Sequence, residues 1–313
     1  MSFHCGYAAL VGRPNAGKST LLNKVLGSKL AITSAKPQTT RNRIAGVHTD
    51  ARLQVILVDT PGIHNAWTEL NKRMVAASRS AIGDVDVVLF LIDVTAAARR
   101  VEAGEPALDA EDIGLAELLA GSGKPIVIVA NKVDVTPKPL VLPVIQALSE
   151  VLPDRPILPL SALTGDGVDG LLAELYRILP EHPALFPPDE WTQASERFLV
   201  AEIVREKIFE LTDEEVPYAT TVEVIKFDEA ERAGDRGIVR ILADIIVERP
   251  SQKGILIGKG GERMKKIGSL ARTDIQELLG CRVYLELFVR VERDWSKTLT
   301  GLSRVGFNSN GSS

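Results

Sequence analysis

Gly12-Arg13-Pro14-Asn15-Ala16-Gly17-Lys18-Ser19 has the spacing GxxxxGK[ST], which builds a device for holding anions. Glycines at both ends let successive backbone N–H groups turn inward, and a helix opening at Lys18 aims its positive dipole end at the same point. Lys18 would reach the β- and γ-phosphates of a nucleotide, the Ser19 hydroxyl would ligate Mg²⁺, and Thr20 completes the set of phosphate contacts. Glycine-rich turns before helices are ordinary, so the pattern takes its meaning from context. The apolar run 7–11 enters it as a buried strand, and 19–26 leaves it as a helix.

Two further motifs follow in fixed order, each at a strand-to-loop edge. After the apolar run 53–58 comes Asp59-Thr60-Pro61-Gly62. Asp59 could hold the metal from its second side through water, and Gly62 could offer a backbone N–H to a γ-phosphate. Alone, Asp-Thr-Pro-Gly reads as a turn. After the run 125–130 comes Asn131-Lys132-Val133-Asp134. The Asp134 carboxylate can accept hydrogen bonds from the ring N–H and exocyclic amine of guanine. Adenine offers an acceptor at that edge and would leave a desolvated carboxylate unpaired. Asn131 would contact the other edge of the base, and the stem of Lys132 would lie along the ring. Ser161-Ala162-Leu163 supplies a loop whose Ala162 N–H could meet the guanine oxygen, a signal that only its place after the strand 157–160 recommends. The ordered set implies GTP and GDP as ligands.

These loops need strands and helices to position them. From residue 7 to about 180, apolar strand runs alternate with helical patterns, the signature of an α/β domain with a mostly parallel, helix-flanked sheet. A length of 313 residues suggests two domains, and 45% hydrophobic with 25% charged residues suits sizeable cores. The expected division is a P-loop domain over 5–180, a proline-rich linker over 181–193, a second domain over 194–294 and an extension over 295–313 whose Ser/Asn/Gly-rich end is expected to lack order. Cys5 and Cys281 lie far apart and suggest neither a disulfide framework nor a zinc site. The start lacks the build of a signal peptide and no apolar stretch is long enough to span a bilayer, so the expected location is cytoplasmic. A net charge of −4 argues against a wholly basic nucleic-acid binder, so any such contact must be local.

The second half carries that local charge. Between 251 and 273 stand Lys253, Lys259, Arg263, Lys265, Lys266 and Arg272 against the single acid Glu262. Within this stretch Gly258-Lys259-Gly260-Gly261 forms a Gly-x-x-Gly turn between an apolar helix end and an amphipathic helix, the core of a KH module. Glycines without Cβ let a backbone press against a phosphodiester chain, so Gly258, Lys259, Gly260, Gly261, Arg263, Lys265 and Lys266 are the expected RNA contacts. A helix-connecting turn with a solvated basic face is the plainer reading of the turn alone. A helix near 196–211, strand runs at 220–227 and 237–247, two helices and an alternating strand at 282–291 give the α+β order of a type II KH domain.

On these marks the chain resembles the Era family of bacterial GTPases from about residue 5 to 307: the run 12–23, Lys-Pro-Gln-Thr-Thr-Arg-Asn-Arg-Ile at 36–44, Asp-Thr-Pro-Gly-Ile-His at 59–64, Ile-Gly-Lys-Gly-Gly at 257–261, and Leu-Phe-Val-Arg-Val at 287–291 with Trp295. The resemblance implies GTP hydrolysis coupled to maturation of the small ribosomal subunit, with the KH domain on small-subunit ribosomal RNA. It implies that Gln38, Thr39, Thr40, Arg41 and Asn42 form one switch and Asp59, Thr60, Pro61 and Gly62 another. Thr40 is then the favoured Mg²⁺ ligand and Thr39 the alternative. Peripheral contact with the inner face of the cell membrane also comes with the family, though nothing in these residues demands it. Nothing in the sequence suggests an obligate dimer, and a monomer is expected.

Ile63 stands where Ras-like proteins hold a glutamine that orients the attacking water, so intrinsic turnover should be slow. His64, the nearest titratable group, is expected to lie beyond the metal site. K⁺ near Asn15 could supply further charge neutralisation; equally, Asn15 could serve only as a turn residue satisfying the loop backbone. Two other classes fit parts of the pattern: a switch GTPase using its basic face on anionic lipid, and an RNA-binding scaffold with a vestigial nucleotide domain.

Overall fold

Runs of aliphatic residues without polar alternation can be satisfied only by burial on both faces, and they become the inner strands. In the computed structural model, which describes residues 2–33, 36, 41, 43–62, 80–233, 237–298 and 301, these are β1 (His4–Gly12), β3 (Leu53–Asp59), β4 (Val87–Asp93) and β5 (Ile126–Asn131). With β2 (Ile44–Thr49) and β6 (Ile157–Leu160) they form one sheet in the order β2-β3-β1-β4-β5-β6. Every pairing is parallel except the β2–β3 hairpin. Five described helices follow the strands: α1 (Lys18–Leu26), α2 (Val94–Glu102), α3 (Ala110–Ala120), α4 (Lys138–Val151) and α5 (Val168–Ile178). Val94 and Ala97 of α2, Leu115 and Leu119 of α3 and Val144 and Leu148 of α4 share a core with Ala9, Val88, Phe90, Ile92 and Ile128 of the strands. Parallel alignment brings the carboxyl ends of β1, β3, β4 and β5 to one edge, in register at Leu10 with Asp59 and at Asp93 with Asn131. Loops leaving that edge converge on a crevice.

The chain divides into two compact units, 1–193 and 194–313. The proline-rich stretch 181–193, expected as a linker, is docked on the first unit. His4 and Gly46 bridge to Glu181 and Thr192, and the Val47 N–H donates to the Trp191 carbonyl at 2.9 Å. Gln54, fully buried at the head of β3, is the clasp: its Nε2 donates to the Phe186 carbonyl at 2.8 Å, and its Oε1 accepts from the N–H groups of Leu185 (2.7 Å) and Phe186 (3.0 Å). Prolines supply no N–H for pairing, so a buried side-chain amide does the fastening.

The second unit runs α6 (Glu196–Leu211), β7 (Thr220–Glu231), β8 (Ile238–Val247), α7 (Pro250–Ile257), α8 (Glu262–Leu279), β9 (Arg282–Val291). Its sheet order is β7-β8-β9, with β7 antiparallel and β9 parallel to β8. Ile267, Ala271, Ile275 and Leu279 recur every four residues along α8 and meet Val200, Val204 and Ile208 of α6 over Val239, Ile241 and Ala243 of β8. Lys207 of α6 is buried, yet it pairs with Asp274 of α8 at 2.9 Å and with Glu206 and Glu210 of its own helix. Burial pulls its pKa down; the hydrogen bond to Asp274 and the surrounding carboxylates outweigh that and raise it. Trp295 is fully buried, with its indole N–H on the Ala219 carbonyl at 2.9 Å, so the expected extension begins inside the fold of this unit. Residues 302–313 lie outside the described residues.

Candidate nucleotide site and nucleic-acid turn

A cavity of about 730 Å³ opens at the carboxyl edge of the first sheet. Pro14, Asn15, Gly17, Lys18, Ser19 and Thr20 line it together with Gly62, Asn131, Lys132, Asp134, Ala162 and Leu163. The fold therefore brings four separate motifs to one pocket of nucleotide size.

The phosphate loop is held from within. Gly17 has φ +97°, a conformation that disfavours side chains, and a Cβ there would stand 2.1 Å from Asn131 Nδ2. That amide is a clasp between loops: Nδ2 donates to the Ala16 carbonyl at 2.8 Å and Oδ1 accepts from the Ala162 N–H at 2.9 Å. The Ala162 N–H thus donates to Asn131 Oδ1, and Asn131 fastens the pocket as well as lining it. Asn15 adopts φ 64°, a left-handed turn position that asparagine tolerates.

Lys18 Nζ donates to the carbonyls of Gly12 (3.0 Å) and Arg13 (2.8 Å). Burial lowers its pKa to about 8, against the opposing pull of the Asp59 charge. Ser19 Oγ donates to Asp59 Oδ2 at 2.6 Å, so two of the expected metal ligands are adjacent at the strand end. Thr60 is different from its expectation as a switch contact: it is fully buried and its hydroxyl is donated to the Leu10 carbonyl at 2.7 Å, pinning β3 to β1. The expectation for Arg13 concerned its place in the phosphate loop; its side chain pairs with Asp109, Glu111 and Asp112.

At the base end, Lys132 has φ 73° and its Nζ donates to Asp93 Oδ2 at 2.6 Å, which stretches the stem along the pocket. Asp93 Oδ1 meanwhile caps α2 by accepting from Thr95 N and Ala96 N. Val135 and Leu163, 62% and 71% exposed, offer apolar walls for a planar ring. Sequence reasoning missed Asp93 and also Asn23. The latter's amide bonds the Ala31 carbonyl (2.8 Å) and the N–H groups of Leu30 and Ala31, holding the loop from which Ile32 and Thr33 line the cavity. Among the switch residues, Arg41 is buried, Pro61 follows Thr60, and Gln38, Thr39, Thr40, Asn42, Ile63 and His64 lie outside the described residues.

In the second unit, α7 stops at Gly258, whose N–H donates to the Gly254 carbonyl at 3.0 Å. Gly258, Gly260 and Gly261 all have φ between 60° and 83°, so this turn tolerates no ordinary side chain without strain. Lys259, Lys265 and Lys266 are exposed beside it. Arg263 is turned back onto the Ile255 carbonyl, where it caps the end of α7 instead of projecting.

A model described as 50S ribosome-binding GTPase matches residues 7–132, and a KH domain model matches 215–296. The chain is 50% identical over 305 residues to GTPase Era of Geobacter metallireducens, covering 97% of this chain and 98% of that one. GTPase Era of Coxiella burnetii is 43% identical over 307 residues, with 97% and 98% covered. Among solved structures, an Aquifex aeolicus Era variant bound to GDP.AlF4- has a TM-score of 0.89 at 38% identity, covering 98% of this chain and 100% of the other. Era in complex with MgGDPNP and nucleotides 1506–1542 of 16S ribosomal RNA gives the same TM-score and identity over 98% and 99%.

Proposed function

The chain belongs to the Era family of GTPases, and on that premise we propose that it hydrolyses GTP to GDP as a switch whose KH unit binds small-subunit ribosomal RNA and assists assembly of that subunit. The observation that carries the nucleotide reading is the convergence of Asn131, Lys132 and Asp134 on the same cavity as Lys18, Ser19 and Gly62. Related Era structures held with MgGDPNP, with GDP.AlF4- and with 16S ribosomal RNA support the ligands.

Inward N–H groups of the loop, Pro14 excepted, take the phosphates, and the Lys18 ammonium acts on them in a low-dielectric site where charge interactions are stronger. Asp134 selects guanine by accepting two N–H donors. Ser19 and Asp59 form a hard oxygen pair that suits Mg²⁺, an ion commonly held by one or two protein oxygens plus substrate phosphates. Among the described residues no cluster of three or more His, Cys, Asp or Glu competes for a metal. When bound, Mg²⁺ would neutralise charge on the phosphate oxygens. Thr40, or Thr39, and Gly62 would close on the terminal phosphate. Ile63 cannot orient water, so catalysis rests on positioning and charge, and K⁺ at Asn15 would add to it. Exchanging Na⁺ for K⁺ should raise turnover several-fold; an unchanged rate discards the ion.

Residues 5–180 are then the catalytic domain, 181–193 the connector and 194–294 the KH domain, working in the cytoplasm. Lys259, Lys265 and Lys266 around the Gly258 turn would track the RNA backbone. Two measurements test the whole reading. Purified protein should bind and turn over GTP but not ATP, with turnover lost in Lys18→Ala. RNA crosslinked in the protein's own cells should be small-subunit ribosomal RNA joined through 258–266. Equal affinity for the two triphosphates, or lipid co-sedimentation without RNA, defeats it.

A further inference from the structure

Arg13 is held at both ends. Its carbonyl accepts from Lys18 Nζ at 2.8 Å and from the Ala16 N–H at 3.3 Å, which makes it the hub of the phosphate loop. Its guanidinium is caged by the amino end of α3: Nη1 meets Asp109 Oδ2, Nε meets Glu111 Oε2 at 3.1 Å, and Nη1 meets Asp112 Oδ2 at 3.5 Å. Asp109 serves twice, since its other oxygen caps α3 by accepting from Glu111 N (2.9 Å) and Asp112 N (3.0 Å). The helix is thereby bonded to the arginine through its own capping residue. Three carboxylates beside an anion site oppose the anion through space, and a guanidinium free to choose would turn toward phosphate. Here it is fixed the other way.

We propose that Arg13 is a positioning residue: α3 fixes the guanidinium, the guanidinium fixes the Arg13 carbonyl, and that carbonyl aims the Lys18 ammonium at the terminal phosphates. Arg13 acts through Lys18 and does not touch the nucleotide with its side chain. The inference rests on the reading of the cavity as a GTP site.

A double-mutant cycle tests it. Affinity for the non-hydrolysable analogue GDPNP, together with kcat and KM for GTP, is measured for Arg13→Ala, Arg13→Lys and the pair Asp109→Asn with Glu111→Gln. Each is made in the native background and with Lys18→Ala. Asparagine keeps the cap of α3, so the carboxamide pair tests the cage even where Arg13→Ala lowers the thermal midpoint. With Lys18 present, Arg13→Ala and the carboxamide pair should lower GTP kcat about tenfold with KM moved less than about threefold, and weaken GDPNP about fivefold. Arg13→Lys keeps the charge without the fork and should fall between. With Lys18→Ala, the same changes should alter GDPNP affinity less than about twofold. Equal losses in both backgrounds, or none in either, overturn the proposal. Native protein that fails to bind GDPNP removes the site reading and this inference together; native protein that binds while the variants match it removes only the inference.

Discussion

At the scale of single residues, the pocket is a set of hydrogen-bond commitments, and two substitutions read them out. Asp134→Asn replaces an acceptor pair by one acceptor and one donor. Guanine then faces an N–H at its exocyclic amine, and GTP affinity should fall by about 10² or more. Xanthosine triphosphate carries a carbonyl at that position, so the variant should prefer it over GTP; competitive displacement of a fluorescent nucleotide measures the order. Gly17→Ala presses a methyl group 2.1 Å from the Asn131 amide and strains a φ of +97°. The clasp between Ala16 and Ala162 must open, which costs about 2–4 kcal/mol of stability and collapses nucleotide affinity. A thermal melt and a binding isotherm on one sample check both losses.

At the scale of elements, what the chain reveals in advance is local, and what it hides is brought together by the fold. The strand runs, the helix after Gly17 and the Gly258 turn are legible because each is a contiguous pattern with its own backbone reason. The destinations of Arg13, Thr60 and Gln54 are not, since their partners lie 96, 50 and 132 residues away. No window of sequence shows that Gln54 clasps 185–186 or that Asp109 caps a helix and binds the phosphate loop at once. Gln54→Ala should cost about 1–3 kcal/mol by removing the buried amide that fastens the half-exposed backbone of 185–186, and limited proteolysis should then cut within 181–193. Asp112 shows the price of placing acids at the head of α3: burial, then the Asp109 charge, raise its pKa to about 6 despite Arg13. The folded state thus binds this proton more tightly than the unfolded chain does, and the group's contribution to stability falls as pH rises from about 4 to 6. Asp112→Asn should therefore stabilise the protein by about 1–3 kcal/mol at pH 8 and by almost nothing at pH 4, as denaturant melts at the two pH values would show.

At the scale of the whole molecule, the nucleotide can matter to RNA only if the two units respond to each other, and the covalent path between them is short. Ile44 opens β2 two residues after the stretch 38–42 expected as a switch, and the Ala45 carbonyl accepts from Thr192 Oγ1 at 2.8 Å. Ser195, three residues on, caps α6 of the KH unit through the Phe198 N–H. A change in β2 that followed occupancy of the cavity would meet residues 191–192 through the Thr192 hydroxyl and the backbone bonds of Gly46 and Val47, three residues before the cap of α6. Moving a two-state equilibrium from 1:99 to 99:1 takes roughly 5.5 kcal/mol of differential binding, and each 1.4 kcal/mol of coupling appears as about a tenfold ratio of affinities. The ratio of ribosomal RNA affinities with GDPNP and with GDP should differ from 1 in the native protein. Thr192→Ala deletes the side-chain bond to Ala45 and leaves the backbone bonds of Gly46 and Val47, while touching neither the cavity nor the Gly258 turn, so it should move that ratio part of the way toward 1 with GTP affinity unchanged. A ratio unaffected by Thr192→Ala would mean that the signal leaves the first unit by another route, and a native ratio of 1 would mean that no signal is sent.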